Sequence, residues 1–258
     1  MNVQKRDNLN KMLRQWPLNG LQTAASLRAQ GISSALLHHY VQRRWLDQVE
    51  RGVYRRPGDA PGWQAALHAV QREMNLPVHA GGLTALELQG YGHYMGARAL
   101  FLYAPPRIRL PAWFEGAAGR SVRFTPTTFL SEAQQESLRG ITAEGVSIIA
   151  STPERATLEM LYHVPVQVGF GEALEVVSGL ASLNMRLMQA LLEVCSSVKV
   201  KRLFLYCARE SGHSWYSSLD RNGIDLGAGK RELVKGGILD KEFLLTVEAK
   251  PYTTAILF

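Results

Sequence analysis

The amino-acid sequence predicts an α+β protein, with an N-terminal winged helix-turn-helix followed by a larger mixed α/β domain. Three short helical patterns and then two short strands fill the first 60 residues, in the order of a winged helix. Pro57-Gly58 and Pro61-Gly62 mark a boundary, and strands alternate with helices beyond it. We therefore expect one domain over residues 1–60 and a second over residues 61–258. A further division of the second domain near residue 195 is an alternative.

Capping and breaking residues define three helices in the N-terminal domain. Residues 3–16 carry a helical pattern that ends before a proline. Thr23 can cap a second helix, since its hydroxyl can accept a hydrogen bond from the first turn, and Gly31 ends that helix. Ser33 can cap a third helix that runs to about Trp45. The close succession of the last two helices predicts a helix-turn-helix.

The third helix has an apolar side and a polar side. Its apolar side comprises Leu36, Leu37, Tyr40, Val41 and the stem of Arg44. Its polar side comprises Ala35, His38, His39 and Gln42. The apolar side would hold this helix on the core, which leaves the polar side and the N-terminal end free to enter a DNA major groove.

Six residues of this helix region are candidates for DNA binding: Ser33, Ser34, His38, His39, Gln42 and Arg43. The two serines stand where a helix N-terminus favours a phosphate, and simple N-capping is the alternative. His38 and Gln42 can read base edges, and a solvated helix face is the alternative. Arg43 is a better candidate for a phosphate contact than for a base contact.

The two strands that follow predict a wing. The segment LDQVERGVYRR reads as a hairpin with Arg51-Gly52 in the turn. Arg51, Arg55 and Arg56 are then placed to reach phosphates beside the groove. Tyr54 alternates with these arginines, so its packing into the core is an alternative to a surface position.

Basic charge is concentrated in the same part of the chain. Residues 1–60 hold ten Lys and Arg residues and four acidic residues, while the whole chain has a net charge of +7. A local excess of positive charge attracts polyanions, and a solubilising surface is the alternative explanation.

The second domain is predicted to mix helices and strands. A helix is expected over residues 63–75, strands over 99–104, 122–129 and 145–150, and two or three helices over 172–211. Ser151 and Glu154 have capping-box spacing, with Pro153 in the first turn, so a helix should start directly after a strand. Gly-Gly and alternation predict a short hairpin over residues 229–247.

Catalytic and metal-binding patterns are not found, so we expect no enzyme activity and no cofactor. His79, Glu87 and His93 lack the spacing of zinc ligands, and the GAGK segment lacks the upstream glycine and the hydroxyl of a phosphate loop. His213 beside Trp215 is typical of a packed, hydrogen-bonded histidine. No serine stands in a nucleophile elbow.

A second basic surface is an alternative use of the C-terminal quarter, where a turn-rich surface is the simpler interpretation. Residues 196–258 hold ten basic and seven acidic residues. The candidate residues of this surface are Lys199, Lys201, Arg202, Lys230, Arg231 and Lys235.

The sequence favours the cytoplasm. It contains no apolar run of the roughly 20 residues that span a membrane, and its first residues show no apolar signal core. Two cysteines, Cys195 and Cys207, are too few for a disulfide scaffold.

Several segments resemble those of a known family. They are GVYRRPGD, HAGGLTALELQGYGHY, LPAWF, STPERATLEML and VKVKRLFLYCARESGHSWYSSLDRNGIDLGAGKRELVKGGILDKEF. Together they resemble the AbiEi antitoxins of type IV toxin–antitoxin systems, which act in phage abortive infection, and the resemblance extends over nearly the whole chain.

The resemblance implies a function for each domain. The winged helix would repress the operon's own promoter by binding operator DNA with repeated half-sites. The C-terminal domain would counter a nucleotidyltransferase-like toxin, with or without direct contact. Two alternatives remain open: a ligand-sensing transcription regulator without a toxin partner, and a nucleic-acid enzyme that its winged helix targets.

Overall fold

A computed structural model of the chain describes residues 10, 12–91, 99–130 and 135–248. Helices and strands are mixed, which confirms the predicted α+β class. Two compact units interleave along the chain. Of the described residues, the first comprises 10, 12–80, 99–127 and 139–150, and the second 81–91, 128–130, 135–138 and 151–248. The predicted boundary near residue 60 falls inside the first unit, the division near 195 falls inside the second, and both stay predictions.

The N-terminal part of the first unit forms the winged-helix arrangement. Its elements are α1 (residues 12–15), β1 (Gln22–Thr23), α2 (Ala24–Ala29), α3 (Ser34–Gln42), β2 (Asp47–Glu50) and β3 (Val53–Arg55). The strands form an antiparallel sheet in the order β1-β3-β2. The hairpin was predicted, whereas β1 is too short to give a sequence pattern. Residues 3–9 and 11 of the predicted first helix lie outside the described part of the chain.

Both predicted N-caps are confirmed. The Thr23 hydroxyl accepts a hydrogen bond from the backbone N–H of Ser26 at 3.1 Å, and the Ser33 hydroxyl accepts one from Leu36 at 3.2 Å. The third helix ends earlier than predicted, at Gln42. Arg44 then adopts a φ of +56°, so it leaves the helix and is exposed.

A small apolar core holds these helices together. Its buried members are Met12, Trp16, Leu27, Ile32, Leu37, Tyr40, Leu46 and Tyr54. The apolar side of α3 therefore packs as predicted. Tyr54 packs into the core, while its neighbours Val53 and Arg55 continue the strand.

The rest of the first unit is a five-stranded sheet with two helices. The elements are α4 (Trp63–Arg72), β4 (His79–Ala80), β5 (Leu100–Ala104), α6 (Phe114–Ala118), β6 (Val122–Pro126), β7 (Leu138–Ala143) and β8 (Val146–Ser151). The strand order is β6-β5-β4-β8-β7. Strand β5 runs antiparallel to β4 and parallel to β6, and β4 runs parallel to β8.

The second unit is mainly helical. Its elements are α5 (Gly82–Leu88), α7 (Pro153–Tyr162), α8 (Phe170–Ser178), α9 (Met185–Val194), α10 (Val198–Glu210), β9 (Arg231–Glu232), β10 (Ile238–Asp240) and β11 (Leu245–Val247). The three short strands pair in the order β10-β11-β9. Residues 249–258, the apolar end of the sequence, lie outside the described residues.

Two details of the second unit correct the sequence predictions. The capping box is wrong, because Thr152 is the N-cap of α7 and the Ser151 hydroxyl instead donates to buried Glu159 at 2.7 Å. The C-terminal hairpin does not turn at Gly236-Gly237. It is formed by β10 and β11, with residues 241–244 in the turn, because the glycines precede both strands.

Among the helices that the structure describes, none combines the length and the apolar character needed to cross a membrane.

Candidate nucleic-acid interface

The outer face of α3 is open to solvent. Leu37 and Tyr40 are buried on its inner face, with 2% and 1% of their surface exposed. The exposed residues at its start and on its outer face are Ser33, Ser34, His38, His39, Gln42 and Arg43. The structure therefore brings all six predicted residues of this helix to one accessible surface. Their binding to DNA stays a prediction.

The two serines at the start of α3 differ in their contacts. The Ser33 hydroxyl is occupied by the cap hydrogen bond, whereas Ser34 is the first residue of the helix and is exposed. Ser34 is thus the better placed of the two to contact a phosphate at the positive end of the helix dipole.

Substitution of each serine should separate capping from DNA contact. Ser33→Ala should lower the free energy of unfolding by about 1 kcal/mol, because the N–H of Leu36 loses its acceptor. Ser34→Ala should leave stability unchanged and weaken DNA binding. Denaturant unfolding and a DNA titration of both variants test this pair. Equal stability losses in the two variants would contradict the assignment of the cap to Ser33 alone.

The two histidines also differ. The His39 ring packs edge-on against the Trp45 ring, with centroids 5.8 Å apart. His38 and Gln42 are one helical turn apart, so their side chains share a face of α3. His38 and Gln42 are therefore the side chains of this face that are best placed to read bases.

The wing carries its positive charge unevenly. Arg51 lies exposed in the turn, next to Gly52 with a φ of +78°. Arg55 contacts Asp47 at 3.3 Å. Arg56 contacts Asp59 at 2.9 Å and donates to the carbonyl oxygen of Pro17 at 3.3 Å.

These ion pairs change the ranking of the predicted phosphate contacts. Arg55 and Arg56 are half-buried and partly neutralised by Asp47 and Asp59. Arg43 and Arg51 are exposed and make no ion pair with other described residues. Arg43 and Arg51 are therefore the cations with the most charge available to a polyanion.

The predicted second basic surface is wrong for three of its six residues. Lys201 and Arg202 are buried, with 3% and 1% of their surface exposed. Lys199 points inward as well: its ammonium group donates to the carbonyl oxygens of Tyr162 at 2.6 Å and Val164 at 2.8 Å, and burial lowers its pKa. Lys230, Arg231 and Lys235 are exposed, and their role stays a prediction.

Both halves of the chain match models of known protein families. Residues 5–97 match the N-terminal domain model of the AbiEi antitoxin transcriptional regulators, and residues 97–248 match the model of the AbiEi antitoxin transcriptional regulator of type IV toxin–antitoxin systems. The chain belongs to the AbiEi antitoxin family. This confirms the resemblance seen in the sequence, and the family is one of transcriptional regulators rather than of enzymes.

A solved structure shares the fold of this AbiEi-family protein. It is the crystal structure of the RV2827C protein from Mycobacterium tuberculosis, with a TM-score of 0.63 and 14% sequence identity over 95% of this chain and 92% of the other. Identity at this level supports a shared fold only. No curated protein sequence matches the chain.

The segments that suggested chemistry have structural roles in this AbiEi-family protein. His213 is bonded through Nε2 to the carbonyl oxygen of Val177 at 2.8 Å and stacks on Trp215, as the sequence predicted. Burial raises the pKa of both cysteines, to about 12 for Cys207, which disfavours the reactive thiolate form. The described residues contain no cluster of three metal-binding side chains, and His93 of the suspected metal segment lies outside them.

Proposed function

We propose that this AbiEi-family protein represses its own operon in the cytoplasm by binding operator DNA through α3 and the wing. We further propose that its C-terminal part counters a nucleotidyltransferase-like toxin. Membership in a family of antitoxin transcriptional regulators supports both halves of the proposal.

One observation carries the DNA-binding half: a capped helix presents a polar face, and two exposed arginines that form no ion pair within the described part of the chain stand beside it. In this proposal α3 lies in the major groove, where Gln42 and His38 contact base edges. Ser34 and Arg43 contact phosphates at the two ends of the helix, and Arg51 contacts a phosphate beside the groove. Fixed phosphate contacts would set the register in which the bases are read.

A single winged helix covers little DNA, so we propose that two copies bind repeated half-sites. A symmetric pair would double the phosphate contacts and space the two α3 helices by about one turn of DNA or a multiple of it. Exposed arginines, rather than area of contact, would then provide most of the affinity.

A salt titration of binding to the DNA upstream of its own gene tests the proposal. Each phosphate contact contributes roughly −0.9 to the slope of log affinity against log salt. The Arg43→Ala/Arg51→Ala variant should therefore bind more weakly, with a slope shallower by about 2 for each bound copy. Gln42→Ala should keep the slope and lose about 1–3 kcal/mol of discrimination between operator and scrambled DNA.

Arg186→Ala is the matched control, because Arg186 is an exposed arginine on α9, outside the candidate interface. It should bind operator DNA as the unaltered protein does. Equal affinity of the unaltered protein for operator and scrambled DNA would overturn autoregulation. If Arg43→Ala/Arg51→Ala, expressed from an unrelated promoter, protects cells from the neighbouring toxin, the two halves of the proposed function are separate.

A further inference from the structure

A groove lies over one face of the edge strand β6 in the first unit. Its volume is about 590 Å³, within the roughly 300–1,000 Å³ of small-molecule sites. Val122 and Phe124 form its floor, because alternate residues of a strand share a face. Ile108, Leu110 and Phe114 form its apolar walls.

The lining of this groove carries a net positive charge. Arg107 and Arg109 line it, are exposed, and make no ion pair with other described residues. Glu115 is the one acidic residue of the lining, and its carboxylate accepts a hydrogen bond from the backbone N–H of Val122 at 3.1 Å. Arg107 has a φ of +70°, a conformation that L-residues with side chains seldom adopt and that often accompanies a functional position.

We infer that this groove binds a small organic anion: an apolar, flat body on β6 and a carboxylate or phosphate head between Arg107 and Arg109. Guanidinium groups match both head groups through paired hydrogen bonds, and the apolar floor selects against inorganic anions. The proposed operator binding does not need this ligand site.

The position of α6 makes the groove suitable for an effector. This helix supplies Phe114 and Glu115 to the groove, and its next residue, Gly116, lies against the Glu50 carboxyl group of wing strand β2. A Cβ built on Gly116 would lie 2.9 Å from the carboxyl carbon of Glu50, so the two elements are in close contact. A ligand that shifts α6 would therefore shift the wing at Glu50, the residue next to Arg51 in the turn. This coupling, unlike ligand binding itself, rests on the proposed function.

Calorimetric titration with matched probes tests the site on the full chain. The probes are 2-naphthoate, 2-naphthyl phosphate, the neutral 2-naphthamide and inorganic phosphate. At least one naphthyl anion should bind one site per chain, roughly tenfold more tightly than 2-naphthamide and more tightly than inorganic phosphate. The preferred head group distinguishes a carboxylate ligand from a phosphate ligand.

Three variants make the test specific. Arg107→Ala/Arg109→Ala should abolish the advantage of the anion over 2-naphthamide, and Ala112→Trp, at an exposed lining position, should block all naphthyl probes. Arg123→Ala is the control, since Arg123 is exposed on the opposite face of β6. Far-UV circular dichroism of each variant establishes that it is folded. No saturable binding, or anion binding unchanged in folded Arg107→Ala/Arg109→Ala, would overturn the site.

Operator affinity measured with and without saturating 2-naphthoate or 2-naphthyl phosphate tests the coupling separately. A change that disappears in Arg107→Ala/Arg109→Ala supports an effector role. An unchanged affinity in a protein that binds both probe and operator overturns the coupling through α6. A protein that binds the probe but not the operator overturns the proposed function and leaves the ligand site established.

Discussion

Replacing Arg202 with alanine should lower the free energy of unfolding by about 3–5 kcal/mol. The Arg202 guanidinium is buried and donates to four carbonyl oxygens: Leu226 at 2.8 Å, Gly227 at 3.0 Å, Gly229 at 2.6 Å and Leu244 at 3.2 Å. Alanine would leave a cavity and remove the charged donor from all four carbonyl groups. Since the free energy of unfolding of a domain is typically about 5–15 kcal/mol, this single change would remove a large part of the stability.

Denaturant unfolding of the variant measures this loss. The stability of Arg202→Lys should lie between that of the unaltered protein and that of Arg202→Ala, because an ammonium group keeps the charge but cannot donate in four fixed directions. Arg231→Ala is the control, because Arg231 is an exposed arginine on β9. It should change the free energy of unfolding by less than about 0.5 kcal/mol. If Arg202→Ala lowers the free energy of unfolding by less than about 1 kcal/mol, the loop over residues 226–229 keeps its shape without the guanidinium.

The contacts of Arg202 also explain the glycines of the GAGK segment. Gly227 and Gly229 have φ values of +60° and +75°, which favour glycine, and their carbonyl oxygens accept hydrogen bonds from the guanidinium. A Cβ on Gly227 would approach Val198 Cγ2 of α10 to 2.9 Å. A phosphate loop presents N–H groups to an anion, whereas this loop presents carbonyl groups to a cation. The loop is therefore a structural connection to α10.

The elements of the winged helix could be predicted because their signals are local. The caps at Thr23 and Ser33, the apolar stripe of α3 and the turn at Gly52 each depend on neighbouring residues. The exposed face of α3 followed directly from that stripe. Membership in the AbiEi family could also be predicted, because it is recognised from short continuous segments of the sequence.

What the sequence could not show depends on residues distant along the chain. The two-residue strands β1 and β4 exist because β3 and β5 pair with them, and neither strand is long enough to alternate. The charge of a side chain predicts exposure, but the distant carbonyl partners of Lys199 and Arg202 make burial possible. The pairing of Arg55 and Arg56 with aspartates likewise appears only in the folded chain.

The stability of the first unit should decrease as the pH rises from 4.5 to 7, because of Glu73. The Glu73 carboxyl group is half-buried beside the winged helix and accepts a hydrogen bond from the backbone N–H of Thr23 at 2.7 Å. Burial raises its pKa from the ordinary 4.5 to about 7, against the smaller opposing effect of that hydrogen bond. The folded protein therefore holds a proton that the unfolded chain has released, and protonated Glu73 favours folding.

The stability contributed by Glu73 changes with pH in the direction opposite to that of a salt-bridged carboxylate. The stabilisation is complete below pH 4.5 and is lost as the pH rises through about 7. Its full size is no more than about 3 kcal/mol, since each pKa unit corresponds to about 1.4 kcal/mol and part of the side chain meets water.

Glu73→Gln should remove this pH dependence, since its amide oxygen can still accept the hydrogen bond from Thr23 without a buried charge. The variant should match the unaltered protein at pH 4.5 and exceed its stability at pH 8 by up to about 3 kcal/mol. Unfolding free energies at both pH values test this, with Glu87→Gln, at an exposed carboxylate, as the control. A variant less stable at pH 8 would mean that the ionised carboxylate supports Thr23. Thr23 caps α2 and lies in β1, so a Glu73 carboxylate that moves towards water as it ionises above pH 7 would take the acceptor away from the Thr23 N–H at the start of the helix-turn-helix.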